Sequence, residues 1–148
     1  MNHCYAELIT VLPDDSVEDD NRIITFPGRN VAEAIGEILR AVGYDVGPPE
    51  YMDEHGWDLN VRVDGRRIWL ELQGIDPGEF VLQTEAMVSF FNLLFGADLA
   101  YYAEFLTKLT EGLRQDGRFS KVEWYELRNH TPVGEPSTDP LKVAGFKS

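Results

Sequence analysis

WDLNVRVDGRRIWLELQ, residues 57–73, decides the fold. Trp57, Leu59, Val61 and Val63 alternate with polar residues, and so do Ile68, Leu70 and Leu72 after them, which is the period-two signature of half-buried strands. Asp64-Gly65 between the two runs is the residue pair of a type I′ turn, whose central positions both need positive φ. A two-residue loop sets Val63 opposite Arg66, Val61 opposite Ile68, Leu59 opposite Leu70 and Trp57 opposite Leu72. All the apolar partners then share one face. A three-residue loop would mix apolar with charged positions, so parity supports the hairpin independently of the turn residues.

Beyond the hairpin, Asp76-Pro77-Gly78 reads as a turn and Glu79–Glu85 as a third strand, with Phe80 and Leu82 facing in. The result is a three-strand meander. Ala86–Phe95 favours a short buried helix ended by Gly96. Asp98 is placed to cap a long helix over Leu99–Gln115, with Leu99, Tyr102, Ala103, Leu106, Leu109 and Leu113 as its apolar stripe. Val122–Leu127 reads as a last strand carrying Trp124.

Upstream, Tyr5–Leu12 and Arg22–Phe26 read as strands. Asn30 is a good N-cap for a helix whose apolar face is Val31, Ile35, Ile38, Leu39 and Val42, with Gly43 ending it. Asp14–Asp20 and Tyr44–Gly56 are expected to be loops. The expected fold is α+β: one domain over residues 1–128, a mainly antiparallel sheet and two long helices packed on one face. Residues 129–148 hold three prolines and two glycines and read as an extended tail, docked by Leu141 and Phe146.

The chain has 148 residues, with 26 acids against 13 bases for a net charge of −13. One domain of this size buries a real core. A pI near 4.5 argues against nucleic acid or an anionic lipid surface as the main partner. No apolar run reaches the roughly 20 residues of a membrane span. The first residues carry no basic segment followed by an apolar stretch, so no signal peptide is expected and the compartment expected is the cytoplasm. One cysteine, Cys4, excludes an internal disulfide framework and a multi-thiolate zinc site, and reads as a small core or edge residue.

The charge is unevenly laid out. Residues 1–55 hold 12 acids and 3 bases, and residues 56–148 hold 14 and 10. The excess sits in two clusters: Asp14, Asp15, Glu18, Asp19 and Asp20, and then Glu50, Asp53 and Glu54. Such a field steers a basic partner toward the protein, although a run of carboxylates also serves simply as a solvated face. The hairpin register places further candidates on its outer face: Asp58 opposite Glu71, Asn60 opposite Trp69, and Arg62 opposite Arg67. Like charges directly opposite are destabilising. Two such pairs around a tryptophan read as a recognition face, unless other elements neutralise them.

Asp58 and Glu71 side by side have the makings of an acid–base pair or a cation site. No histidine lies on those two strands, and no nucleophile with a base completes a catalytic set. Adjacent His3 and Cys4, with His55 and His130 elsewhere, read as ordinary residues rather than metal ligands. No cofactor and no metal is implied.

These observations favour a binding protein over an enzyme. A bacterial immunity protein that plugs the cleft of a basic toxin, such as a nuclease, needs a compact scaffold, complementary charge and aromatic anchors, and no catalytic residues. The alternatives are a small enzyme or ligand-binding domain with a carboxylate-lined pocket, and an assembly or adaptor subunit that pairs with a second copy through Phe90–Phe95.

Overall fold

The computed structural model describes residues 2–129 and 131–146. His130 lies outside them. In chain order the elements are β1 (His3–Thr10), β2 (Val17–Asp19), β3 (Arg22–Thr25), α1 (Arg29–Ala41), β4 (Asp45–Val46), β5 (Glu50–Met52) and β6 (Gly56–Val63). There follow β7 (Arg66–Asp76), β8 (Glu79–Ala86), α2 (Phe90–Leu94), α3 (Ala100–Gln115), β9 (Phe119–Arg128), β10 (Thr131–Ser137) and α4 (Pro140–Ala144). The fold is α+β with an antiparallel sheet in the order β10-β9-β1-β8-β7-β6-β4, and β5 also pairs with β6.

The hairpin adopts the register that parity demands: Trp57 faces Leu72, Leu59 faces Leu70 and Val61 faces Ile68. Asp64 and Gly65 take φ of 50° and 77°, as a type I′ turn requires. β8 completes the meander by pairing Leu82 with Leu72 and Thr84 with Leu70. β1 then lies between β8 and β9, so Ala6 is flanked by Leu82 and Trp124, and Leu8 by Phe80 and Val122. Every second residue of β1 and β8 is buried while its neighbours stay half-exposed. One sheet face is therefore core, and the other meets solvent.

α1 and α3 are the long helices. They touch each other, α1 rests on β6, and α3 rests on β9. α1 buries Val31, Ile35, Ile38 and Leu39, and α3 buries Tyr102, Phe105, Leu106, Leu109 and Leu113. Where the two cross, a Cβ on Gly112 would run into the Ile38 side chain. Gly112→Ala is expected to destabilise the fold by about 1–3 kcal/mol through overpacking, although alanine is intrinsically the better helix former. Urea denaturation checks this. The double variant with Ile38→Ala should lose less than the two single losses combined, and strict additivity would refute the close crossing.

Several expectations change. Asp14–Asp20 is not only loop: Val17–Asp19 pairs with Arg22–Thr25 through Asp20 and Asn21, whose φ values are 46° and 68°. Tyr44–Gly56 likewise contains two short strands added to the edge of β6. Asn30 is not the N-cap. Gly28 holds that position, and the cap comes from Asp15, whose carboxylate accepts from Gly28 N at 2.7 Å and Asn30 N at 2.9 Å. Val42 leaves the apolar stripe and is exposed just beyond α1. α2 is a helix as expected, but it is not buried. Phe90, Phe91, Leu94 and Phe95 are 64–75% exposed. α1 rests on β6, and α3 and α4 rest on β9, so those parts of the sheet are taken by other helices.

The proline- and glycine-rich segment is ordered by pairing rather than left as a free tail. Pro132 sits opposite Leu127 and Val133 opposite Glu126. Asp139 caps α4 by accepting from Leu141 N at 3.0 Å, and Phe146 packs near the Tyr102 ring.

Candidate functional site

On the solvent-facing side of β6 and β7, Asp58 and Glu71 stand opposite each other as the register requires. They are not a bare repulsive pair. His55, from the turn before β6, bridges them: Nε2 donates to Asp58 Oδ1 at 2.6 Å, and Nδ1 lies 3.5 Å from Glu71 Oε1. The Trp69 indole donates to the second Asp58 oxygen at 2.9 Å. Asp58 is only 5% exposed and is satisfied on both oxygens. Gly56 makes this turn: its φ is 140°, and a Cβ there would stand 2.8 Å from the Leu72 carbonyl oxygen. Only glycine lets the chain pass so close and send His55 back over the sheet.

The two ring nitrogens face different carboxylates, so the three groups do not converge on a common point where one cation would sit. Among the described residues no hydroxyl or thiol is hydrogen-bonded to the ring. The contacts form a clasp that ties the turn at Gly56 to β6 and β7. The indole N–H of Trp69, the residue read as the aromatic of a recognition face, is spent inside it, and the ring is half-buried. His55 lies outside the two strands, so their alternation does not mark it; the signal for it is the His55-Gly56 pair immediately before Trp57.

Burial holds the Glu71 carboxyl above its ordinary value of 4.5. Asp58, Glu54 and Glu85 push the same way, and His55 opposes them. A carboxyl with a raised folded pKa binds its proton more tightly in the folded chain. Its stabilising contribution is complete below the unfolded pKa and is lost as pH rises through the folded value. Glu71→Gln removes that loss. Stability relative to the parent should therefore shift in favour of the variant as pH climbs above 4.5. Urea midpoints at stepped pH test this, and a gap independent of pH would refute it.

Beside the clasp, Arg62 and Arg67 face each other in an open cleft of about 500 Å³ that also contains Asn60, Asp45 and Glu50. The two acids supply the counter-charge that the arginine pair lacks within the hairpin.

The acidic clusters lie far apart in sequence and are tied together in space. Tyr51 Oη accepts from Phe26 N, and the Trp57 indole donates to the Phe26 carbonyl, both at 3.1 Å. Phe26 follows the β2–β3 hairpin, which carries Glu18, Asp19 and Asp20. Tyr51 and Trp57 flank the turn that carries Asp53 and Glu54. These five acids are exposed, as are Asp14 and Glu50, whereas Asp15 is half-buried under its capping bonds.

Cys4 is 1% exposed, and burial pushes its thiol up to about 12, so it carries no thiolate chemistry. Among the described residues no helix is long and apolar enough to cross a membrane. No protein-family model matches the chain, and no curated protein matches it.

Proposed function

We propose that this chain is an acidic inhibitor that binds a basic protein, with a bacterial immunity protein acting on a toxin in the cytoplasm as the specific reading. The observation that supports it is the Phe26 junction, which ties the segment after the first acidic cluster to Tyr51 and Trp57 on either side of the second. A combined field from both segments raises the capture rate of a cationic partner by about 10–10³.

The test is to co-express the chain with the product of the gene next to its own and score protection of growth. Asp19 and Asp20 are then reversed to lysine. Asp15 is left intact, because its loss would uncap α1. The reversed variant should fold normally and associate at least about tenfold more slowly, with the difference shrinking in high salt. Protection that survives with an unchanged association rate removes the steering role. Turnover of a substrate by the purified chain removes the inhibitor reading.

A second reading has its own support. From Met87 to Ala97 the chain has no ionisable side chain, and α2 presents Phe90, Phe91, Leu94 and Phe95 to solvent. Two copies of a molecule of net charge −13 meet there with the least repulsion. This reading expects a dimer in sedimentation equilibrium that Phe91→Glu dissociates. A monomer at all concentrations dismisses it.

A further inference from the structure

The β2–β3 hairpin folds over an apolar recess beside the β7–β8 turn. The recess holds about 220 Å³, and its walls include Ile23, Phe26, Ile75 and Phe80. Glu18 is the cross-strand partner of Ile23, so both point to the same side of the hairpin and both line the recess. Asp14 and Asp76 complete the mouth. All three carboxylates are exposed, and among the described residues none takes part in an ion pair. Hydrogen bonds from Ser16 hold the Asp14 carboxyl below the ordinary range, so it stays charged well into acid.

The hairpin itself gains little from the core. Val17, Ile23 and Ile24 are each about half exposed. Ile23 on a flap above an apolar recess, with unpaired anions among the residues that line it, suits one kind of visitor: a long side chain that is greasy along its stem and positive at its tip. Arginine fits better than lysine. Its planar fork donates to several carboxylates at once, and its guanidinium is weakly hydrated and stacks on a phenylalanine ring.

We infer that this recess is the anchor pocket for an arginine of the basic partner, whose stem lies against Ile23, Phe26 and Phe80 while its guanidinium meets Asp14, Glu18 and Asp76. The inference rests on the inhibitor reading for the identity of the partner class. The pocket itself stands on its own geometry. It also divides the labour among the acids: Asp19 and Asp20 at the hairpin tip steer, Asp15 caps α1, and Asp14 and Glu18 grip.

The probe is a capped tripeptide, acetyl-Leu-Arg-Val-amide, titrated into the full-length chain and followed by amide chemical shifts. Its control carries citrulline, the uncharged isostere, in place of arginine. Saturable shifts are expected at Ile23, Phe26 and residues 74–78, with the citrulline peptide at least about tenfold weaker. Asp14→Asn, which keeps the oxygen that accepts from Ser16, and Asp76→Asn should each weaken the arginine peptide several-fold while leaving the spectrum otherwise folded. Equal affinity for citrulline, or shifts that centre on the Arg62–Arg67 cleft or on α2, overturns the pocket. Slower association on reversing Asp19 and Asp20 would still stand in that case, so the inhibitor reading survives. Conversely, a peptide that seats in the pocket of a chain that protects nothing leaves the arginine site intact and removes the inhibitor.

Discussion

Replacing Asp58 with alanine is expected to lower the unfolding free energy by about 3 kcal/mol or more, because it breaks a buried, hydrogen-bonded ionisable cluster and leaves its partners behind. Asp58 is 5% exposed and accepts from both His55 Nε2 and the Trp69 indole. Without it the indole N–H has no acceptor on that side. His55 loses the shorter of its two contacts, and the turn at Gly56 loses the tie that folds it onto β6. Asn is no cure: its oxygen accepts one of the two donors, and its amide then points a hydrogen at the other. Urea denaturation measures the loss, and Trp69 fluorescence reports the local release. A loss below about 1 kcal/mol, the worth of an ordinary neutral hydrogen bond, would mean that the clasp adds nothing to the sheet.

Trp124→Ala should cost a comparable or larger amount, about 3–5 kcal/mol, by opening the largest cavity available in the core. Trp124 is fully buried on β9, beside Ala6 of β1. Its indole donates to the Thr110 hydroxyl at 3.0 Å, and that hydroxyl donates in turn to the Leu106 carbonyl at 2.6 Å. The side chain therefore joins the sheet to α3 by packing and by a polar relay. Total stability for a domain of this kind is roughly 5–15 kcal/mol, so the variant should sit near the edge of folding. Phe at this position keeps most of the volume and should lose less than half as much. Equal losses for Ala and Phe would assign the cost to the relay rather than to the cavity.

What could be read beforehand was the part of the fold that local rules specify. Asp64-Gly65 and the parity of seven apolar residues fixed the central hairpin to its residue pairs. The periodicity from Val31 to Leu39 and from Tyr102 to Leu113 fixed the long helices. Long-range pairing carries no local mark. Nothing in Tyr5–Leu12 says that β1 inserts between β8 and β9, and nothing in Asp15 says that it caps a helix beginning 14 residues later. Short strands such as Asp45–Val46 have too few residues to show a period. Phe90–Phe95 looked buried because composition alone cannot distinguish a core segment from an apolar surface. The acidic residues were visible as a group, but their separate duties were not. Those follow from which carboxylate finds a backbone N–H, which finds His55, and which finds nothing.

One rim of the sheet is β10, in which Pro132, Gly134 and Pro136 alternate along the outermost strand. The opposite rim is broken into two short pieces, β4 and β5, separated by Pro48 and Pro49. Proline offers no N–H for a neighbouring ladder, and a two- or three-residue strand is too brief a template. The large sheet thereby offers a poor template for strand addition at either rim. At those two rims recognition falls to side chains rather than to the backbone, so specificity there is adjustable by single substitutions without disturbing the scaffold.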